Sequence, residues 1–374
     1  MINRIISQKI LGNFFKGKVI LIIGPRQTGK TTLLHQITDN QKENTLWLNG
    51  DESDIREILA RPTSTALKGI IGNKKIVVID EAQRIDEIGL TIKLMADSIQ
   101  GIQILVTGSS ALELSGNIKE PLTGRKYEYH LYPLSFEELR GYTSDIEENR
   151  MLEQRMIFGY YPDVVNNPSE AKEILRLLSE SYLYKDLYML AQIKKPVVLE
   201  KLVVALALQL GNEVNYNELS RTVGSDKETI ERYIDLLEKA FVIFRLPSLS
   251  RNMRNEIKKG RKIYFYDNGI RNAVIKNFNP LALRQDTGAL WENFLVAERK
   301  KRNEYSGIWS NHYFWRNTSQ QEIDYIEEMD GKMSGFEFKW GQNKLKTPRV
   351  FLEAYPGSDI RIITRENYRD FICL

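Results

Sequence analysis

Residues 24–31 read Gly24-Pro25-Arg26-Gln27-Thr28-Gly29-Lys30-Thr31, a glycine pair separated by four residues and followed by a lysine and a hydroxyl. This spacing fits a loop whose backbone N–H groups curl around phosphate oxygens. A helix opening at about Lys30 would add the partial positive charge of its N-terminus. Gly24, Arg26, Gln27, Thr28, Gly29, Lys30, Thr31 and Thr32 are the candidate phosphate-binding residues. Lys30 would reach the β- and γ-phosphates, and the Thr31 hydroxyl would hold Mg²⁺. Arg26 could touch phosphate or face solvent. Downstream, Ile76-Val77-Val78-Ile79 ends in Asp80-Glu81. Two acids at the carboxyl end of a buried strand face the crevice where ligands bind in open α/β sheets. Asp80 would bind the Mg²⁺ with Thr31, and Glu81 would orient or deprotonate the attacking water.

A further strand, Gln103–Thr107, runs into Gly108-Ser109-Ser110. Ser109 is the candidate for contacting the γ-phosphate or the water, with Thr107 and Ser110 as rivals. Capping of a helix from Ala111 is the alternative role for either serine. Arg125 is either a finger arginine, acting in its own or a neighbouring subunit, or one half of a surface salt bridge. No Asn-Lys-x-Asp guanine reader is present, so the expected nucleotide is ATP with Mg²⁺.

A second group of chemical residues lies near the C-terminus. Two strand-like runs, Ile323–Glu328 and Gly335–Trp340, flank Asp330-Gly331, a strong two-residue hairpin signal. That turn places Asp324 opposite Glu337 and Glu322 opposite Lys339, all on one face. Facing carboxylates repel, so Lys339, a divalent metal or a shared proton must offset them. Asp324 with Glu337-Phe338-Lys339 resembles the D…E-x-K motif of restriction-endonuclease-like folds, and Glu292 on a preceding helix matches that fold's extra acid. The proline often found before the Asp is replaced by Ile323. A copy of this fold could cleave nucleic acid or only bind it.

The elements needed to hold these residues are legible. Val19–Ile23, Thr45–Asn49, Ile76–Ile79 and Gln103–Thr107 are short apolar runs separated by helical patterns, as in a parallel sheet covered on both faces. A helical middle follows, roughly 150–211. Asn217–Thr222, Val223-Gly224 and Asp226–Lys239 read as helix-turn-helix, and Phe241–Leu246 with Lys262–Tyr266 as a hairpin. Glu228, Thr229, Arg232 and Tyr233 are expected on the exposed face of the second helix. Arg251, Arg254, Lys258, Lys259, Arg261 and Lys262, opposed only by Glu256, would form a basic wing suited to DNA phosphates. A protein-docking module is the other reading.

The chain of 374 residues is long enough for two or three domains. A hydrophobic fraction of 42% and a charged fraction of 27% are those of a soluble globular protein. With a net charge of +4, any nucleic-acid surface must come from local clustering. One cysteine, Cys373, permits no disulfide framework, and three histidines argue against a zinc cluster. The apolar stretch at 202–210 is too short to span a bilayer, and the first residues lack a secretory core. The expected location is cytoplasmic.

Taken in order, several motifs resemble a prokaryotic AAA-type P-loop ATPase family with a C-terminal domain of uncharacterised function. They are the 24–31 loop, Val78-Ile79-Asp80-Glu81-Ala82-Gln83, Thr107-Gly108-Ser109-Ser110, Leu122-Thr123-Gly124-Arg125 and Leu131-Tyr132-Pro133-Leu134-Ser135-Phe136-Glu137-Glu138-Leu139. Gly159-Tyr160-Tyr161-Pro162, Tyr184-Lys185-Asp186, Gly288-Ala289-Leu290-Trp291-Glu292-Asn293-Phe294 and Phe314-Trp315-Arg316 continue the series. Tyr160 and Lys185 stand where that family more often has Gly and Arg. The resemblance implies ATP binding, a winged helix and a nuclease-like C-terminal fold; such proteins often form homo-oligomeric rings. The expected architecture is α/β: a P-loop parallel sheet with flanking helices at 1–140, a helical region at 150–212, a winged helix-turn-helix at 213–284 and a small α+β nuclease-like domain at 285–374.

Overall fold

Every side chain of Val19–Ile23 and of Ile76–Asp80 is buried, because each strand lies inside a parallel sheet with helices on both sides. The computed structural model describes residues 2–109, 121–182, 193, 195–250, 260–317, 319, 321–341 and 349–374. Ser110, Arg251, Arg254, Glu256, Lys258, Lys259 and Tyr184-Lys185-Asp186 lie outside the described residues. The chain divides into two units. The first comprises Met1–Leu134 with Tyr182–Ile193 and Lys239–Phe241; the second comprises Ser135–Ser181, Lys194–Glu238 and Val242–Leu374.

In the first unit α1 (Ile6–Leu11) precedes β1 (Val19–Ile23), α2 (Lys30–Thr38), β2 (Thr45–Asn49), α3 (Ser53–Leu59), α4 (Ser64–Ile71), β3 (Ile76–Asp80), α5 (Ile88–Ser98), β4 (Gln103–Gly108) and β5 (Lys126–His130). The strands form one parallel sheet in the order β2-β3-β4-β1-β5. Inserting β4 between β1 and β3 brings the end of β4 between the phosphate loop and Asp80-Glu81. The four expected strands are present; β5, Lys-Tyr-Glu-Tyr-His, is an additional edge strand.

The second unit opens with α6 (Phe136–Tyr142), whose start is fixed by a capping box between Ser135 and Glu138. Helices α7 (Asp145–Phe158), α8 (Pro162–Asn166), α9 (Ala171–Leu177) and α10 (Pro196–Leu208) make up the helical middle. Short β6 (Glu213–Val214) leads into α11 (Tyr216–Val223), which ends at left-handed Gly224, and α12 (Lys227–Lys239) follows. Strands β7 (Ile243–Pro247) and β8 (Arg261–Phe265) join β6 in a three-stranded antiparallel sheet. This is the expected helix-turn-helix and hairpin arrangement.

After α13 (Asn268–Val274), the 20-residue α14 (Thr287–Ser306) packs on a four-stranded sheet. That sheet contains β9 (Asn311–Arg316), β10 (Glu322–Met329), β11 (Lys332–Phe338) and β12 (Asp359–Ile363), with α15 (Arg349–Ala354) before β12 and α16 (Tyr368–Ile372) after it. The order is β12-β11-β10-β9. Asp330 and Gly331 both have positive φ, 52° and 79°, and the hairpin register pairs Tyr325 with Phe336 as the turn requires. One core of this sheet is Leu249, Trp315, Ile323, Ile326 and Phe351. Among the described residues no helix is long and apolar enough to cross a membrane.

Candidate functional site

The loop between β1 and α2 is shaped by close approach. A Cβ on Gly24 would lie 2.1 Å from the carbonyl oxygen of Leu131, so only glycine fits there. Gln27 and Gly29 both take the left-handed conformation, with φ of 57° and 88°. Thr28 is fully buried and donates to the Pro25 carbonyl at 2.9 Å, closing the turn. Arg26 is half-buried, and Thr32 is exposed on the first turn of α2. The Lys30 ammonium folds back into the loop and donates to the carbonyls of Pro25 at 2.7 Å and Gly24 at 3.1 Å. Lys30 is buried, with 5% of its surface exposed.

Thr31 at the start of α2 donates its hydroxyl to Asp80 at 2.7 Å, linking the loop to the end of β3. The same carboxylate accepts from the Thr107 hydroxyl and from the Glu81 amide at 3.1 Å. Thr31 and Asp80 offer hard oxygen ligands at the carboxyl end of the sheet, a donor set that fits Mg²⁺. Glu81 adopts left-handed φ 50° and its carboxylate is held by the Gln83 amide. The Gln83 carbonyl oxygen accepts from the Ser109 amide at 3.1 Å. The Ser109 hydroxyl is buried and has no hydrogen-bond partner among the described residues. Lys30, Thr31, Asp80, Glu81, Thr107 and Ser109 are therefore brought together. Arg125 is not. It precedes β5, whose Lys126 pairs with Val19 at the amino end of β1, whereas the phosphate loop leaves the carboxyl end five residues on. At ~3.3 Å per residue that is about 16 Å away. There Arg125 forms a half-exposed salt bridge with Asp97 at 2.9 Å, the second of its two expected roles.

The tail carboxylates converge as the hairpin register demands, but around an unforeseen partner. Lys262 of β8, expected on a basic wing, is instead 2% exposed. Its ammonium contacts Glu292 of α14 at 2.9 Å, Glu322 at 2.5 Å and Asp324 at 4.0 Å. Tyr264 donates to the same Glu292 oxygen at 2.6 Å. Asp324 also accepts from the Phe338 amide at 2.8 Å, and Lys339 pairs with Glu337 at 3.1 Å. Burial pushes Glu292 up to about 7 against the pull of Lys262. Burial, reinforced by Asp324, pushes Glu337 up to about 7 as well. Burial also raises Asp324. Burial pulls Lys262 down, but the carboxylates of Glu292, Asp324 and Glu322 outweigh it and hold its ammonium above the usual lysine range. One further expectation is corrected: Tyr233 is fully buried because α12 turns it inward beside Ile230 and Ile234. Arg261 is half-buried and lies over the Tyr216 ring at 5.6 Å. Glu228 and Arg232 are exposed, as expected.

A family model described as an AAA domain matches residues 16–140, the segment that carries the loop, both acids and β1 to β5. Residues 16–140 are therefore similar to AAA domains. Two models described as domains of unknown function match residues 149–281 (DUF8612) and 287–371 (DUF4143). An uncharacterized protein of Mycobacterium tuberculosis is 28% identical over 339 residues, 90% of this chain and 72% of that protein. An uncharacterized protein of Methanocaldococcus jannaschii is 25% identical over 350 residues, 87% of this chain and 75% of that protein. The solved Walker-type ATPase of Pyrococcus abyssi is similar in fold, with TM-score 0.50 and 17% identity over 74% of this chain and 96% of that one.

Two residues of the first unit were missed by motif reading. Gln83 is quoted within a motif, yet its role in holding Glu81 against the end of β4 has no sequence signature. Arg4 is buried and donates to the carbonyls of Thr28 and Tyr132, each at 2.7 Å, so a residue before α1 braces the 24–31 loop. Only the flanking Ile2, Ile5 and Ile6 hinted at burial.

Proposed function

We propose that the AAA domain binds and hydrolyses Mg-ATP and that its nucleotide state is transmitted to the second unit, a winged-helix and nuclease-like module that contacts DNA. The observation that carries the first part is the convergence of Lys30, Thr31, Asp80 and Glu81 at the carboxyl ends of neighbouring elements. The loop amides and the Lys30 ammonium bind the phosphates; Lys30 exchanges its two carbonyl partners for phosphate oxygens. Thr31 and Asp80 would hold Mg²⁺, which supplies charge neutralisation across the phosphates. Glu81, once released by Gln83, accepts a proton from the water that attacks the γ-phosphorus. Ser109 donates its unengaged hydroxyl to the γ-phosphate or to that water.

The DNA part draws support from the helix-turn-helix with its hairpin and from exposed Arg232. The inward positions of Lys262 and Tyr233 favour the second reading, an ATP-gated scaffold without nuclease chemistry. ATP hydrolysis measured with and without DNA, for the parent chain, Lys30→Ala and Glu81→Gln, separates the cases. Loss of hydrolysis in both variants is expected, with stimulation by DNA. Parent-like rates in the variants overturn the site assignment; hydrolysis indifferent to DNA favours the scaffold.

A further inference from the structure

The nuclease-like reading of the tail implies a divalent cation among Asp324, Glu337 and the extra acid Glu292. The residues present do not fit that occupant. A divalent ion needs several free carboxylate or carbonyl oxygens at 2.0–2.6 Å, depending on whether it is Mg²⁺ or Ca²⁺, and commonly keeps water. Here an ammonium group already stands among the oxygens. Lys262 reaches Glu322 at 2.5 Å and Glu292 at 2.9 Å, with Asp324 at 4.0 Å. Other donors engage the same carboxylates. Tyr264 donates to Glu292, the Phe338 amide donates to Asp324, and Lys339 pairs with Glu337. Among the described residues no group of three or more His, Cys, Asp or Glu is disposed to hold a metal ion.

Lys262 is held there by more than charge. Its neighbours on β8, Ile263 and Tyr264, are buried to within 1% exposure, and its ammonium lies 5.5 Å from the centre of the Phe314 ring. The strand that bears it pairs on both sides, with β6 and with β7. Moving the ammonium out would require the strand to shift, since the side chain has only 3% of its surface exposed. A hydrated ion exchanges with solvent, whereas a side chain anchored in a central strand does not.

We propose that Lys262 is an internal counter-ion that takes the seat of the metal, so that the tail carboxylate pocket neither binds a divalent cation nor supports metal-dependent cleavage while β8 is in place. The proposal rests on the nuclease-like reading only for which cation is displaced. Lys262 is thus a positioning residue joining the hairpin to α14 and β10.

The test uses the full chain carrying Asp80→Asn, without nucleotide, so that the phosphate site contributes no metal. Binding of Mn²⁺ is followed by loss of the free-ion electron paramagnetic resonance signal. The Lys262 chain is expected to bind no Mn²⁺ in the tail, and Lys262→Met to bind one equivalent that disappears on adding Asp324→Asn. A doubly neutralised chain, Lys262→Met with Glu292→Gln, keeps the charge balance and replaces Lys262→Met if that variant fails to fold; it is expected to show the same gain. Mn²⁺ binding by the Lys262 chain that is lost with Asp324→Asn overturns the proposal and leaves the nuclease-like reading standing. Absence of binding in every folded variant overturns both.

Discussion

Replacing Thr107 with valine removes one hydroxyl and almost no volume, which makes it a clean test of how Asp80 is held. Thr107 is fully buried, and its hydroxyl donates to the Asp80 carboxylate while accepting from the Glu81 amide at 3.3 Å. After the change Asp80 retains Thr31 and the Glu81 amide, so the carboxylate stays charged and in place but loses its anchor on β4. A hydrogen bond to a charged group contributes about 1.5–3 kcal/mol. If that anchor orients the carboxylate toward the metal, the whole of the loss appears in affinity for Mg-ATP, which is about 10–100-fold. The assay is steady-state hydrolysis as a function of Mg²⁺ at fixed ATP, with Thr107→Ser as the control that restores the hydroxyl. Thermal unfolding without nucleotide should then stay close to the parent, because a loss expressed in stability would leave the affinity unchanged. A valine variant with parent-like Mg²⁺ dependence and rate would refute the idea that β4 positions Asp80.

Ser109→Ala should leave unfolding temperature unchanged or raise it, because the hydroxyl is buried without a partner among the described residues, while lowering the rate of ATP hydrolysis by about 10²-fold; lower stability at an unchanged rate would point to a capping role instead. Arg125→Ala should cost at most about 1 kcal/mol and leave hydrolysis nearly intact, since the pair with Asp97 is exposed; a loss of about 10³-fold or more would make Arg125 a finger. Glu292 is raised by burial from 4.5 to about 7, so the folded chain takes up a proton that the unfolded chain has released. That contribution is complete below the unfolded value and is lost as pH rises through about 7. Urea unfolding followed across this window should show the parent losing stability more steeply than Glu292→Gln, and equal slopes would contradict the shift.

The residues gathered around the 24–31 loop were legible because their geometry is local. A glycine-bounded loop after an apolar run and two acids after another specify the carboxyl end of a parallel sheet without knowledge of strand order. The hairpin register was legible for the same reason: Asp330-Gly331 fixes which side chains oppose. β5 was not, because Lys126–His130 alternates polar and aromatic residues on a sheet edge and has no continuous apolar run. Nor were Arg4, Gln83 and Lys262, which act across 24, 26 and 30 positions on Thr28, Ser109 and Glu292. A lysine next to a predicted wing looks solvent-facing until the partner helix is known. Tyr233 failed similarly: Glu228 and Arg232 face solvent as expected, but Tyr233, one position on, belongs to the apolar stripe with Ile230, Ile234 and Leu237.

The continuation of β7 along β9 has a practical corollary. The Leu249 amide donates to the Phe314 carbonyl at 2.7 Å, and Leu249 packs in the same cluster as Trp315 and Ile323. A fragment beginning at residue 285 would therefore shed an apolar cover as well as the ammonium beside Glu322. Such a truncated piece would expose greasy surface and a bare acidic hollow, and any ion dependence it displayed would be an artefact of the cut.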